Sequence, residues 1–171
     1  MNRRRWFSVV VGLQAVLLLG WAGYHEASRA NAPTILLETA PVDPRDLLRG
    51  DFMILNYKIS RVPRPWDAGE PRGPYGGDIW VSLRKNGRFH EVVATSWAEP
   101  KDFKSDLIHV RGHVRGPNTD KTLRVDYEIE KYFVPEGKGT PRFKEMVVEA
   151  TVSKAHWLGL KRVLLDGQPY P

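Results

Sequence analysis

Nineteen consecutive residues, Trp6 to Tyr24, carry no formal charge, and this run constrains the chain more than any other feature. At 1.5 Å rise per residue a helix of that length approaches the roughly 30 Å of a bilayer's hydrocarbon core. Arg3, Arg4 and Arg5 precede it, while His25 and Glu26 follow. The positive-inside rule therefore keeps the N-terminus cytoplasmic and sends the remainder across. Trp6, Trp21 and Tyr24 stand where interfacial aromatics belong. A cleaved signal peptide would share the basic start and the apolar run. Ala30-Asn31-Ala32 offers a small-x-small site, but Pro33 after the cut should hinder a peptidase. The reading is a cytoplasmic tip (1–5), a transmembrane helix (6–24), a linker (25–32) and an extracytoplasmic domain (33–171). The location that follows is a membrane crossed once, with the domain periplasmic or extracellular.

The domain is organised around Arg49-Gly50-Asp51-Phe52-Met53-Ile54-Leu55-Asn56-Tyr57-Lys58-Ile59. Gly50 tolerates a positive φ and Asp51 can bond local N–H groups, so the pair marks a tight entry. Met53, Leu55, Tyr57 and Ile59 share one parity and Asn56 and Lys58 the other, the pattern of a strand with one buried face. Upstream, Asp43-Pro44 predicts the cap and first position of a single helical turn. Gly50-Asp51-Phe52 followed by Leu55, Tyr57 and Ile59 resembles the signature of the GDYXXLXY family, small membrane-anchored bacterial proteins with no assigned activity. Phe52 replaces the family tyrosine and lacks its hydroxyl. Pro41 to Arg45 and Tyr132-Phe133-Val134-Pro135-Glu136-Gly137 resemble the family too. The resemblance implies that the membrane is a bacterial inner membrane.

Elsewhere the chain reads as strands and turns. Ile35-Leu36-Leu37 predicts a first strand over 34–39, and residues 61–78, with four prolines and four glycines, a long loop containing Trp66 and Tyr75. Ile79, Val81 and Leu83 alternate with Trp80, Ser82 and Arg84 before Asn86-Gly87, a type I′ hairpin signal. Pairing Lys85 with Arg88 would set Val81 opposite Val92 and Trp80 opposite Val93, in a sheet covered on both sides. Ile108, Val110 and Val114 predict one face of a strand over 106–115, with His109, Arg111, His113 and Arg115 on the other. A Gly-Pro-Asn turn should follow, and then a strand over 122–131 whose Asp126, Glu128 and Glu130 lie against the basic row. A turn over 132–139 and strands over 145–152 and 158–165, the last closed by Asp166-Gly167, complete the series. About eight mostly antiparallel strands without a long helical period predict an all-β sandwich or open barrel.

Four chemistries can be weighed on the residues. His109 and His113 lie roughly 13 Å apart along a regular strand, too far to share an ion unless Gly112 forms a bulge. No cysteine is available, so no metal and no cofactor are expected. A Ser-Lys protease needs a serine before the first Gly-Asp turn, but Thr39-Ala40-Pro41-Val42 occupies that place. Gly137-Lys138-Gly139-Thr140 lacks the spacing of a phosphate-binding loop. Arg49-Gly50-Asp51 as an adhesion tripeptide is a short match at a position the strand entry already explains. Residues 33–171 hold 22 Lys and Arg against 19 Asp and Glu, a balance that disfavours nucleic acid. What remains is a polar and aromatic set of Arg49, Asp51, Asn56, Tyr57, Tyr132 and Glu136, either a binding groove or a turn former, a core tyrosine and a surface pair. The expected function is a membrane-anchored, non-enzymatic accessory module acting on another membrane protein. The alternative is a tethered enzyme or small-ligand binder with a cleft under the 61–78 loop.

Overall fold

The computed structural model describes residues 3–30, 32–39, 52–65, 77–101, 106–119, 121–134 and 143–170. Two compact units divide the chain, Met1–Ala32 and Pro33–Pro171. The first is helix α1, Arg3–Ala30. It continues through most of the expected linker, because Glu26-Ala27-Ser28-Arg29-Ala30 contains no residue that breaks a helix and Pro33 is the first that does. Its segment Trp6–Tyr24 has a mean hydropathy of 1.7, enough by length and composition for a membrane anchor or a signal sequence.

The second unit is all β, with eleven strands among the described residues. β1 (Thr34–Glu38), β9 (Met146–Val152), β10 (Leu158–Leu165) and β11 (Gln168–Tyr170) form one antiparallel sheet in the order β1-β9-β10-β11. β3 (Arg61–Pro63), β7 (Thr122–Asp126), β6 (Leu107–Thr119), β4 (Asp78–Asn86) and β5 (Phe89–Ser96) form a second in that order, and β2 (Phe52–Ile54) pairs with β8 (Lys131–Phe133). The sandwich-like core lies between the sheets, where Ile35, Leu37, Val148, Ala150 and Val163 of the first meet Ile79, Val81, Leu83, Val110 and Val125 of the second. At roughly 25 cal/mol per Å² of apolar area, these fully buried side chains are the main force holding the sheets face to face. The second sheet also curls towards closure, since Thr95 Oγ1 on its β5 edge donates to the carbonyl of Pro63 on its β3 edge at 2.8 Å.

Inward parity survives where strand continuity does not. Met53, Leu55, Tyr57 and Ile59 are all buried. The predicted strand stops at Ile54, Tyr57 makes an isolated bridge with Thr39, and Lys58–Ser60 closes a 3-10 turn through Ser60 N–H to Tyr57 O at 3.1 Å. The 61–78 loop begins as β3 and ends where Asp78 opens β4; Trp66 and Tyr75, like the helical turn expected at 43–48, lie outside the described residues. The predicted strand over 122–131 breaks after Asp126. There Glu128 takes a φ of 64° and the Glu130 carboxylate accepts the Tyr127 N–H, so the chain leaves the five-stranded sheet for the β2–β8 ribbon. Tyr132 and Phe133 are consequently strand, in β8, rather than turn.

The turn of the first hairpin lies one residue later than expected, which displaces its register by two. Asn86 pairs with Phe89 and Leu83 with Val92, and beyond a bulge Val81 faces Thr95 and Trp80 faces Ser96. Gly87 alone in the turn takes a positive φ, 58°, which is the sign pattern of type II′ rather than I′, while the Asn86 side chain is held in the strand by Glu91 at 3.0 Å. Gly116-Pro117-Asn118 does not turn; β6 passes through it to Thr119 with two register shifts. Asp166 (φ 50°) and Gly167 (φ 81°) form a hairpin turn with two positive φ values, which adds β11 where the sequence reading ended. The Asp166 carboxylate accepts the N–H groups of Glu145 at 2.8 Å and Lys144 at 2.9 Å, which lowers its pKa.

Gly112 marks the tightest approach within the second sheet. A Cβ there would meet Val125 Cγ1 at 2.3 Å and Tyr127 Cε1 at 3.0 Å, and neither branched core valine nor buried tyrosine has space to retreat. Gly112→Ala should therefore destabilise the domain by about 1–3 kcal/mol in urea unfolding followed by tryptophan fluorescence. An unchanged midpoint would mean that β6 and β7 sit further apart than described.

Candidate functional site

Two clusters bring chemistry-bearing residues together, one under the motif and one on the outer face of the five-stranded sheet. The first follows from the buried parity of residues 53–59. An inward tyrosine brings a hydroxyl into the core, where an unbonded polar group would be costly. Tyr57 solves this by donating to the carbonyl of Ile129 at 2.6 Å, and Tyr127 donates in return to the carbonyl of Ile59 at 2.8 Å. The two bonds lace segment 57–59 to segment 127–129 in both directions. Leu55 N–H to Glu130 O at 2.8 Å extends the same seam. Burial, helped by the nearby Glu130 charge, pushes both phenols well above the ordinary tyrosine range. Burial likewise raises the Glu130 carboxyl, against three backbone N–H bonds that favour its ionised form.

The sequence-predicted set is thus only partly assembled. Tyr57 lies in the core. Tyr132 sits half-buried opposite Met53, and its hydroxyl donates to Tyr170 O at 3.0 Å with the two rings 6.4 Å apart. Asn56 is half-buried beside Tyr57 in the chain. Arg49, Asp51 and Glu136 lie outside the described residues.

The second cluster grows from the outward parity of β4 and β6. Register sets Asp78 opposite His113, Trp80 opposite Arg111 and Ser82 opposite His109. His113 Nδ1 is 2.8 Å from Asp78 and its Nε2 is 3.3 Å from Glu128, while Arg111 binds the other oxygen of Asp78. Arg115 pairs with Asp126, as the opposed basic and acidic rows predict. The turn between β9 and β10 folds over this face. Trp157 lies 4.8 Å from the Arg111 guanidinium and 5.0 Å from the His113 ring, and His156, at φ 66°, packs 5.1 Å from Trp80. His109, expected on the surface, is buried as a result, with its Nδ1 2.9 Å from Ser82 Oγ. Ser82 is itself buried, so this serine-histidine pair is closed to a substrate.

Trp80, His156 and Trp157 were not legible as a cluster. Alternation signalled that Trp80 and Ser82 share a face, but a five-residue turn carries no periodicity to say what covers them. Among the described residues no group of three or more His, Asp and Glu side chains is placed to hold a metal ion. A shallow trough of about 180 Å³ lies elsewhere, between β5 and the segment from Lys58 to Arg61.

Comparison with known proteins returns a family model described as GDYXXLXY protein, matching residues 14–158. No curated protein and no solved structure matches.

The reciprocal bonds make two predictions. Tyr57→Phe and Tyr127→Phe should each cost about 1–3 kcal/mol, because each leaves a buried carbonyl without its donor. The double variant should depart from additivity, since either bond alone still ties the same two segments; an additive cycle in chemical denaturation would show them to be independent. Glu130 also gives the domain a pH dependence. Its folded pKa is raised, so its contribution is fully present below the unfolded carboxyl pKa and is lost as pH rises through the folded value. Glu130→Gln should flatten the stability-pH curve between the unfolded carboxyl pKa and the raised folded value, measured by urea midpoints from acidic to neutral pH.

Proposed function

This chain belongs to the GDYXXLXY family, and from that premise we propose that it is a single-pass protein of the bacterial inner membrane whose periplasmic domain acts as a non-enzymatic interaction module. Three arginines ahead of an uncharged 19-residue span support a cytoplasmic N-terminus. A single helix keeps the domain near the bilayer and raises its effective concentration for other membrane proteins.

The observation that carries the non-enzymatic reading is the fate of the motif tyrosine. The Tyr57 hydroxyl is bonded inside the core to Ile129 and has no open route to a substrate. The motif then acts as an architectural element, and the partner-binding surface is sought outside it. Phe133, 71% exposed on β8 beside the family-like Tyr132, is the aromatic candidate for that surface. The trough of about 180 Å³ favours the second reading, a tethered small-ligand binder.

Intact protein extracted in mild detergent from its native membrane, beside Phe133→Ala, tests the reading. A stoichiometric membrane protein retained by the parent and reduced about tenfold or more with Phe133→Ala is the expected result, since an aromatic anchor of this kind is worth roughly 1.4 kcal/mol or more. Absence of any partner in both samples would refute the interaction reading. Resistance to alkaline carbonate extraction, with a full-length mass, is expected for the anchor; a mature chain lacking the first 32 residues would make α1 a signal sequence instead.

A further inference from the structure

Most arginines on and beside the five-stranded sheet are paired with a carboxylate among the described residues. Arg84 meets Asp106 at 3.0 Å, Arg88 meets Glu145 at 3.3 Å, Arg111 and Arg115 meet Asp78 and Asp126, and on the other sheet Arg162 meets Glu149 at 3.0 Å. Arg61 and Arg124 are different. They are directly opposed in the β3–β7 register, both exposed, and neither has an ion pair among the described residues. Val62 and Leu123 beside them are buried, so the two arginines share the outward face. Like charges directly opposite on one face oppose strand pairing. On its other side Arg124 pairs with Gly116, which contributes no side chain to cover it.

Two guanidinium forks standing side by side without an acid match the geometry of a phosphate, which can accept a bidentate pair from each. Arg61 also lines the trough, whose apolar wall is Ile59, Phe89 and Val92. The two carboxylates of that trough are engaged, Glu38 with Lys58 at 2.7 Å and Glu91 with the Asn86 amide at 3.0 Å. A paired cationic fork continuous with an apolar recess fits an anion that carries an apolar body. At about 180 Å³ the recess has room for a glycerol backbone and the first methylenes, not for whole acyl chains.

We propose that Arg61, Arg124 and the adjoining trough bind the headgroup of an anionic phospholipid. The availability of such lipid rests on the tethered reading above, which brings the domain within reach of a bilayer. Binding would then lay the β3–β7 corner against the membrane surface, and partners would meet the domain in a fixed orientation.

The test titrates short-chain dihexanoyl phosphatidylglycerol into the intact protein in nonionic detergent and reads the arginine Nε–Hε resonances by NMR. Dihexanoyl phosphatidylcholine and inorganic phosphate form parallel arms. Saturable shifts at Arg61 and Arg124 with the glycerol lipid, absent with the choline lipid and weak with phosphate, are expected. Arg61→Gln and Arg124→Gln should each weaken binding roughly fivefold, whereas Lys161→Gln, an exposed cation on β10 of the other sheet, should not. Because Arg61 is exposed on an edge strand, its variant keeps the test readable if Arg124→Gln unfolds. Equal response to both lipids, an equal loss with Lys161→Gln, or phosphate binding as tightly as lipid would each overturn the proposal. The titration does not require an inserted helix, so its failure leaves the anchor to be judged by carbonate extraction alone.

Discussion

Everything in the β unit depends on a crossing of two segments that do not belong to either large sheet. Residues 57–59 and 127–129 are held together by two tyrosine hydroxyls, each donating to a carbonyl of the opposite segment. Each bond satisfies a polar group that burial would otherwise leave exposed to a large desolvation cost. Around this crossing the chain passes from ribbon to five-stranded sheet on both sides, by way of the 3-10 turn at Lys58–Ser60 and the positive-φ corner at Glu128. Neither departure from regular strand would persist without the bonds that fix it. The motif after which the family is named is, at its tyrosine, a folding element.

That placement accounts for what could and could not be read from the residues. Alternation gave the inward set of Met53, Leu55, Tyr57 and Ile59 correctly, because side-chain parity is dictated by which face is apolar and does not require a continuous ladder. Strand limits were less accessible. The ends of β2 and β7 are set by hydrogen bonds over 68 or 72 residues of sequence separation, which no local pattern encodes. The hairpin register shows the same limit at short range: Asn-Gly signalled a turn, but with Asn86 held in the strand by Glu91 the turn falls one residue later and the register shifts by two, and a bulge beside Val92 shifts it once more. β11 was missed because Asp166-Gly167 looked like an end, when two positive φ values make it a reversal.

The candidate site was legible in kind and not in assembly. Charge opposition between the rows of β6 and β7 followed directly from parity, and the Arg115–Asp126 pair bears it out. The burial of His109 did not, since it depends on the β9–β10 turn laying Trp157 over Arg111. A pattern of unpaired charge is equally invisible in sequence. Arg61 and Arg124 stand 63 residues apart and become neighbours only through register.

The meeting of β3 with β5 has a consequence for how the domain behaves at high local concentration. A five-stranded sheet with two free edges presents rows of unpaired amides and carbonyls on which other chains can template. Here the Thr95 hydroxyl spans from one edge to the carbonyl of Pro63 on the other, and Pro63 itself supplies no amide hydrogen. The sheet thereby shields its own margins. The domain gains protection from edge-to-edge stacking through a hydroxyl and a proline, without relying on a row of edge charges.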